Sequence, residues 1–187
     1  MDIQALIKEH GAWSYAITFV WTFFEGETFV LFAGFAAAAG LINAPLLLAS
    51  AWLGSFAGDQ CYFWIGRHFG LKLLERRPAW RARVDIALGW LRRFDAGFIL
   101  TFRFIYGIRN ISSFALGISG IPWRRFMILN FIAAGIWSIS FVSAGYFFGH
   151  ASEKFLGPQL RMAMLGVFVA VVGTIFFVIW LSHRRHK

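Results

Sequence analysis

Charge is scarce in this chain. Of its 187 residues, 14% are Asp, Glu, Lys or Arg, while 59% are hydrophobic and 19% aromatic. A soluble domain is about half apolar and about a quarter charged, so there is too little polar surface here to cover a globule. Acidic residues are the rarer sign, 9 against 18 basic ones, for a net charge of +9. A basic balance invites a nucleic-acid partner, but Arg76-Arg77, Arg81, Arg83, Arg92-Arg93 and the tail Arg184-Arg185-His186-Lys187 fall between apolar runs. That is the pattern of cytoplasmic loops under the positive-inside rule, and nucleic acid is not expected.

Cysteine is nearly absent too. The single Cys61 excludes an intrachain disulfide and a metal site built from several cysteines; in an apolar helix it is expected to pack as a small side chain. The five histidines lie at segment ends or in the tail without metal-ligand spacing, and no nucleophile elbow or phosphate-cradling glycine loop occurs. No catalytic residue, metal or cofactor is expected, and the chain is not read as an enzyme. Nor is a cleaved signal peptide expected, because Glu25 and Glu27 interrupt the apolar run and it resumes after them.

What is present is long apolar sequence. Phe126 to Phe148 and Met162 to Leu181 are plain spans of about the ~20 residues a helix needs to cross a bilayer, and Ala44 to Gly66 matches them in length but carries Asp59. Two other segments are apolar on both sides of a charged break. Ala12 to Ile42 is interrupted at Phe24-Glu25-Gly26-Glu27-Thr28, and Ala96 to Ile121 at Arg103 to Asn110. Arms this short are expected to be re-entrant, with the irregular backbone shielded by protein or by a water-filled cavity. Placing the basic stretches in the cytoplasm makes the two hairpins enter from opposite faces.

The expected fold is therefore all-α and membrane-integral: two inverted repeats, each a re-entrant helical hairpin plus a transmembrane helix, with an extra C-terminal transmembrane helix. The single membrane domain over 1–187 divides into a first repeat 12–66, a cytoplasmic basic amphipathic segment 67–95, a second repeat 96–149 and a last helix 162–182. Gly34 and Gly66 are spaced like Gly117 and Gly149, and the same offset lays Glu25-Gly26-Glu27 over Ile108-Arg109-Asn110. Between the halves, Trp80, Val84, Leu88 and Leu91 recur at helical spacing among arginines, as expected of an amphipathic helix on the anionic inner leaflet.

Five charges fall at membrane depth: Glu25, Glu27, Asp59, Arg103 and Arg109. Each costs about 2.5–3.5 kcal/mol at a helix centre, so they are expected to meet one another, water or a ligand. A salt-bridge cluster pinning the hairpins together is one reading. The other is functional: Arg103 and Arg109 as a bidentate clamp for a phosphate, with Glu25, Glu27 and Asp59 exchanging protons. Gly54 and Gly58 allow close helix approach, and Ser55, Tyr62, Tyr106, Asn110 and Asn130 are expected to line the cavity.

These residues resemble a known family. Gly58-Asp59-Gln60-Cys61-Tyr62 through Ile65-Gly66-Arg67 is similar to the G-D-x-x-x-Y-x-x-G-R signature of DedA (SNARE-associated, VTT-domain) proteins, with the tyrosine one place early. Phe102 to Arg109 resembles their F-x-R-F-x-P-G-x-R stretch, with Tyr106 where the proline stands. Leu116 to Gly120, Asn130 to Trp137 and Glu27-Thr28 extend the likeness from Phe24 to Gly149. The resemblance implies a bacterial cytoplasmic-membrane protein that moves undecaprenyl phosphate or a phospholipid such as phosphatidylethanolamine, with essential arginines at Arg103 and Arg109, an aspartate at Asp59 and acidic residues at Glu25 and Glu27. The loop between the two acidic positions is shortened here to Gly26.

The function expected is a lipid flippase, proton-coupled, with its C-terminus in the cytoplasm. Its partners are a membrane lipid, protons and anionic inner-leaflet lipids, with homo-oligomers as an option. Alternatives are a proton-coupled transporter of a small cation and a non-transporting membrane scaffold.

Overall fold

The computed structural model describes residues 3–24, 26–76, 78–105 and 109–155, and side chains outside 3–12, 78–79 and 153–155 of these. The described chain is helical throughout: α1 (Ile3–Phe24), α2 (Glu27–Ala38), α3 (Ala44–Arg76), α4 (Pro78–Phe94), α5 (Ala96–Thr101), a 3₁₀ turn (Phe102–Phe104), α6 (Arg109–Ile118) and α7 (Trp123–Phe155). Of these, Trp123–Ser152 is long and apolar enough to cross a membrane. The expected helix at 162–182 lies outside the described residues.

Both expected breaks in the apolar segments are present. Helix α1 ends at Phe24, and Gly26 leaves the helical region with φ −142°. A Cβ at Gly26 would sit 2.8 Å from the Thr22 methyl, so glycine suits this bend. In the second segment the 3₁₀ turn ends at Ile105 in extended backbone, and helix resumes at Arg109. The turns that follow α2 and α6 each carry a glycine at positive φ, Gly40 at 75° and Gly120 at 84°, the backbone a helix C-terminus demands and glycine supplies without strain. Helix α3 then starts where the Asn43 side chain accepts the Leu46 N–H at 3.1 Å, a cap of its first turn.

Packing follows glycines. A Cβ at Gly54 or Gly58 would strike the carbonyls of Phe19 or Phe23, so α1 lies directly on α3. Gly34 of α2 faces the Val142 carbonyl while Gly145 of α7 faces the Leu31 carbonyl; Gly117 of α6 faces the Phe63 carbonyl while Gly66 of α3 faces the Phe114 carbonyl. Each crossing is parallel, since Gly149 follows toward Ala38 and Gly70 toward Ile118. Helices α3 and α7 run antiparallel, with Trp52 and Phe56 on Phe131, Phe63 stacked on Phe126, and Trp64 beside Trp123. Helices α3 and α7 are of equal length, 33 residues each.

Three expectations are revised by this geometry. The helix that carries the third apolar run does not stop at Gly66 but continues to Arg76, with Gly70 seated under Ile118. Cys61 is exposed on the outer face of α3, not packed. Helix α4 forms as expected, but Val84, Ala87 and Leu91 are buried in a cluster with Phe98, Phe114 and Leu116. Trp80 packs edge-on to Phe114. Its apolar stripe thus covers α6, while Arg81, Arg83, Arg92 and Arg93 stay exposed.

The interior inverts the soluble pattern. Large apolar side chains such as Leu46, Leu53, Trp64, Ile128, Phe131, Ile132, Ile136 and Ile139 point outward, a surface suited to hydrocarbon. Two buried apolar clusters lie apart: Leu47, Ala51, Trp137 and Val142 with α2, and Phe63, Phe114 and Phe126 with α4 and α5. Along α3, Ser55 and Asp59 fall between Ala51 and Phe63; along α7, Asn130 falls between Phe126 and Ala133. A polar layer therefore separates the clusters.

Candidate functional site

Ser55 and Asp59, four apart on α3, share a face and are fully buried. Two arginines reach them from the second half. The 3₁₀ turn carries Arg103 inward behind the buried Phe102, and Arg103 is itself fully buried. It pairs with Asp59 Oδ2 and donates to Ser55 Oγ and to Asn130 Oδ1. Arg109 opens α6; its Nε is 3.5 Å from Asp59 Oδ1. Its Nη2 donates to Ser55 Oγ at 2.9 Å and to the Thr22 carbonyl at 3.1 Å. The guanidinium also lies over the Trp137 ring, 5.3 Å from its centroid, within cation–π range.

One carboxylate thus holds two cations drawn from both sides of the second break. The arrangement has a local cost: a cation in the first turn of a helix opposes the macrodipole, and Asp59 offsets this for Arg109. The Asp59 and Arg103 side chains have no exposed surface and that of Arg109 is 4% exposed, so the site is closed in this conformation.

Around the site are buried donors without a hydrogen-bond partner, alongside the Asp59 carboxylate oxygens, which meet the arginines as ion pairs. Arg103 Nε, Arg109 Nη1 and Trp137 Nε1 are buried with no hydrogen-bond partner, as are the hydroxyls of Ser112 and Ser113. Buried polar groups are satisfied in the great majority of cases, and each orphan costs about 1–3 kcal/mol. Arg109, Ser112 and Ser113 stand three and four apart on α6, hence on one face. Such a set accommodates an acceptor-rich anion with little rearrangement.

Of the residues singled out in the sequence, Ser55, Asp59, Arg103, Arg109 and Asn130 come together. Asn110 stands beside them and donates to the Phe24 carbonyl at 3.0 Å, tying α6 to the end of α1. Tyr62 is half-buried one turn beyond Asp59, and Glu27 is half-buried in the first turn of α2, where the dipole favours a carboxylate. Glu25 and Tyr106 lie outside the described residues. Sequence reasoning missed the Thr22 carbonyl, which has no side-chain signature. It also missed Ser112 and Ser113, whose spacing from Arg109 was the available signal.

Among the described residues, no group of His, Cys, Asp or Glu side chains is placed to hold a metal. No solved structure matches this chain. Among curated proteins it is similar to inner membrane protein YohD of Escherichia coli, 34% identical over all of this chain and 97% of that one. Protein DedA of Escherichia coli is 26% identical over 92% of this chain and 84% of that one. Undecaprenyl phosphate transporter A of Bacillus subtilis is 24% identical over 95% and 92%. The model of the VTT domain matches residues 24–147, from the end of α1 to the last third of α7 and thus across the whole site. The chain belongs to the VTT-domain (DedA) family of membrane proteins.

Proposed function

We propose that this protein is a lipid flippase of the bacterial cytoplasmic membrane, moving a phosphate-bearing lipid such as undecaprenyl phosphate or phosphatidylethanolamine, in exchange with protons. The observation that carries the reading is the convergence of Arg103 and Arg109 on Asp59 amid unpartnered buried donors. The headgroup phosphate takes the guanidinium forks, which match its oxygens bidentately. The α6 N-terminus beside Arg109 favours negative charge at the same point. Ser55, Tyr62, Tyr106, Asn110 and Asn130 line the path, and Asp59, Glu25 and Glu27 exchange protons. The name of the Bacillus subtilis relative, an undecaprenyl phosphate transporter, supports a transporter of this kind and not an enzyme.

The architecture belongs to the proposal. Segments 12–66 and 96–149 are two inverted repeats, each a re-entrant hairpin followed by a transmembrane helix, joined by the basic segment 67–95 on the cytoplasmic leaflet. On this reading the C-terminus lies in the cytoplasm. The reciprocal glycine crossings favour this: a shift of 83 carries Leu31 and Gly34 onto Phe114 and Gly117, and a shift of 79 carries Phe63 and Gly66 onto Val142 and Gly145. Rocking of the hairpins about these crossings would open the closed site to one face and then the other.

A second reading rests on the same cluster. Because Asp59 engages both arginines in the closed state, the arginines serve equally as structural partners in a proton-coupled transporter of a small cation. Reconstitution separates the two. Liposomes holding labelled polyprenyl phosphate and labelled phospholipid are expected to show headgroup-selective flipping that is lost in Arg103→Ala and Arg109→Ala. Proton-linked cation uptake without flipping favours the second reading, and neither activity leaves a membrane scaffold.

A further inference from the structure

A groove of about 440 Å³ lies between α4 and α5, lined by Trp90, Phe94, Gly97, Phe98, Thr101 and Ile105. Ligand sites typically measure about 300–1,000 Å³. The groove opens outward through the exposed Trp90, Phe94, Gly97 and Thr101, and the buried Phe98 forms its floor. Thr101 is the one polar side chain among the six residues, and its hydroxyl is turned to the Gly97 carbonyl at 2.8 Å. No lining side chain is left to satisfy a polar ligand group, which would be costly to bury unpaired. The groove suits hydrocarbon and not a headgroup.

It is continuous with the arginine site. Thr101 and Ile105 bracket Arg103 in the chain, each two residues away, a span of at most about 7 Å. Aromatic rings link the floor to the same residue: Phe98 and Phe102 have centroids 6.0 Å apart, and the Arg103 guanidinium is 5.8 Å from the Phe102 centroid. On the outer rim the Arg93 guanidinium lies over Phe94, 5.3 Å from its centroid. One cation thus borders the apolar trough at Phe94 and another lies beyond Phe102. The ligand of matching chemistry is a hydrocarbon chain that ends in an anion.

Resting on the lipid-phosphate reading above, we infer that this groove seats the hydrocarbon tail of the lipid whose phosphate the arginines take. Lipid tails are as apolar as the lining, so the groove adds little binding free energy over the surrounding bilayer. Its contribution is placement. A tail held along α5 delivers its headgroup beside the second break, which Arg103 and Arg109 flank. The headgroup alone then enters the polar layer, and the tail stays in an apolar setting throughout.

The test places the full chain in liposomes with a dodecyl phosphate that carries a photoreactive diazirine midway along its tail. A parallel sample holds the corresponding alcohol. After irradiation, labelled peptides are identified by mass spectrometry. The phosphate is expected to label the stretch 90–105, and farnesyl phosphate, but not farnesol, should displace that label. Gly97 offers the blocking variant, since a Cβ there meets nothing within 4 Å and Gly97→Leu projects into the open trough. The variant should keep its unfolding midpoint and lose the label at 90–105. Should it fail to fold, displacement on the unaltered chain decides alone. A label that persists in folded Gly97→Leu, equal labelling of 90–105 by the alcohol, or displaceable label confined to the outer faces of α3 and α7 would each overturn the inference while leaving the headgroup on the arginines. If farnesyl phosphate displaces no label anywhere, the lipid-phosphate reading falls and the inference falls with it.

Discussion

Asp59 and Arg109 meet at 3.5 Å across the parallel crossing of α3 and α6, a few residues before Gly66 and Gly117 bring the two backbones into contact. The crossing fixes how far α6 can slide, and the ion pair fixes where its first turn sits. Charge placement and helix packing are therefore one constraint. A change in either propagates to the other.

Removing the carboxylate should be far worse than muting it. Asp59→Ala leaves two buried guanidinium groups unpaired, a loss of about 3–5 kcal/mol for a broken buried pair. Asp59→Asn keeps an acceptor for one of them and should cost less. Thermal unfolding in detergent, followed by circular dichroism, checks the order. Equal midpoints for Asp59→Ala and the unaltered chain would show that the arginines find other partners readily.

The glycine crossings give a second contrast. Gly66→Ala puts a methyl group into the Phe114 carbonyl, backbone that cannot swing aside, and overpacking of this kind costs about 1–3 kcal/mol. Gly89 lies inside α4 with nothing within 4 Å of a Cβ, so Gly89→Ala should stabilise by up to about 1 kcal/mol through helix propensity. Opposite shifts in unfolding midpoint are expected, and shifts of the same sign would contradict the packing described for α3 and α6.

Trp137 separates function from stability. Its indole N–H is buried without an acceptor, so Trp137→Phe keeps a ring beneath Arg109, relieves the cost of the orphan donor and leaves a small cavity, effects of opposite sign. Unfolding should change little. If the N–H serves the bound headgroup, flipping should fall by about 10- to 100-fold, the range of a hydrogen bond to a charged group. Unchanged flipping in reconstituted vesicles would remove Trp137 from the headgroup site.

Much of this was legible in the sequence for one reason: charge inside an apolar run is costly enough to need a structural cause. Glu25, Glu27 and the Arg103 to Arg109 stretch marked the two breaks, and Asp59 marked the residue between the arginines. What stayed hidden has a physical reason as well. A membrane-facing surface is as apolar as a core, so hydrophobic pattern did not tell that Cys61 points outward or that the α4 stripe covers α6. The Thr22 carbonyl that receives Arg109 is backbone, which every residue has. The continuation of α3 past Gly66 seats Gly70 under Ile118, a contact between segments nearly 50 residues apart that local pattern does not encode.

The inverted arrangement makes a prediction about sidedness. Pro45 and Arg124 are exposed near the starts of α3 and α7, and these helices run antiparallel. If each crosses the membrane, the two positions lie at opposite faces, with Arg124 on the cytoplasmic side. Starting from Cys61→Ser, single cysteines at Pro45→Cys and Arg124→Cys are labelled in intact cells with a membrane-impermeant maleimide, and again after permeabilisation. The first should react in intact cells and the second only once the membrane is opened. Labelling of both from one side would mean that α3 and α7 enter from the same leaflet, and neither alternating access nor opposed hairpins could then be sustained.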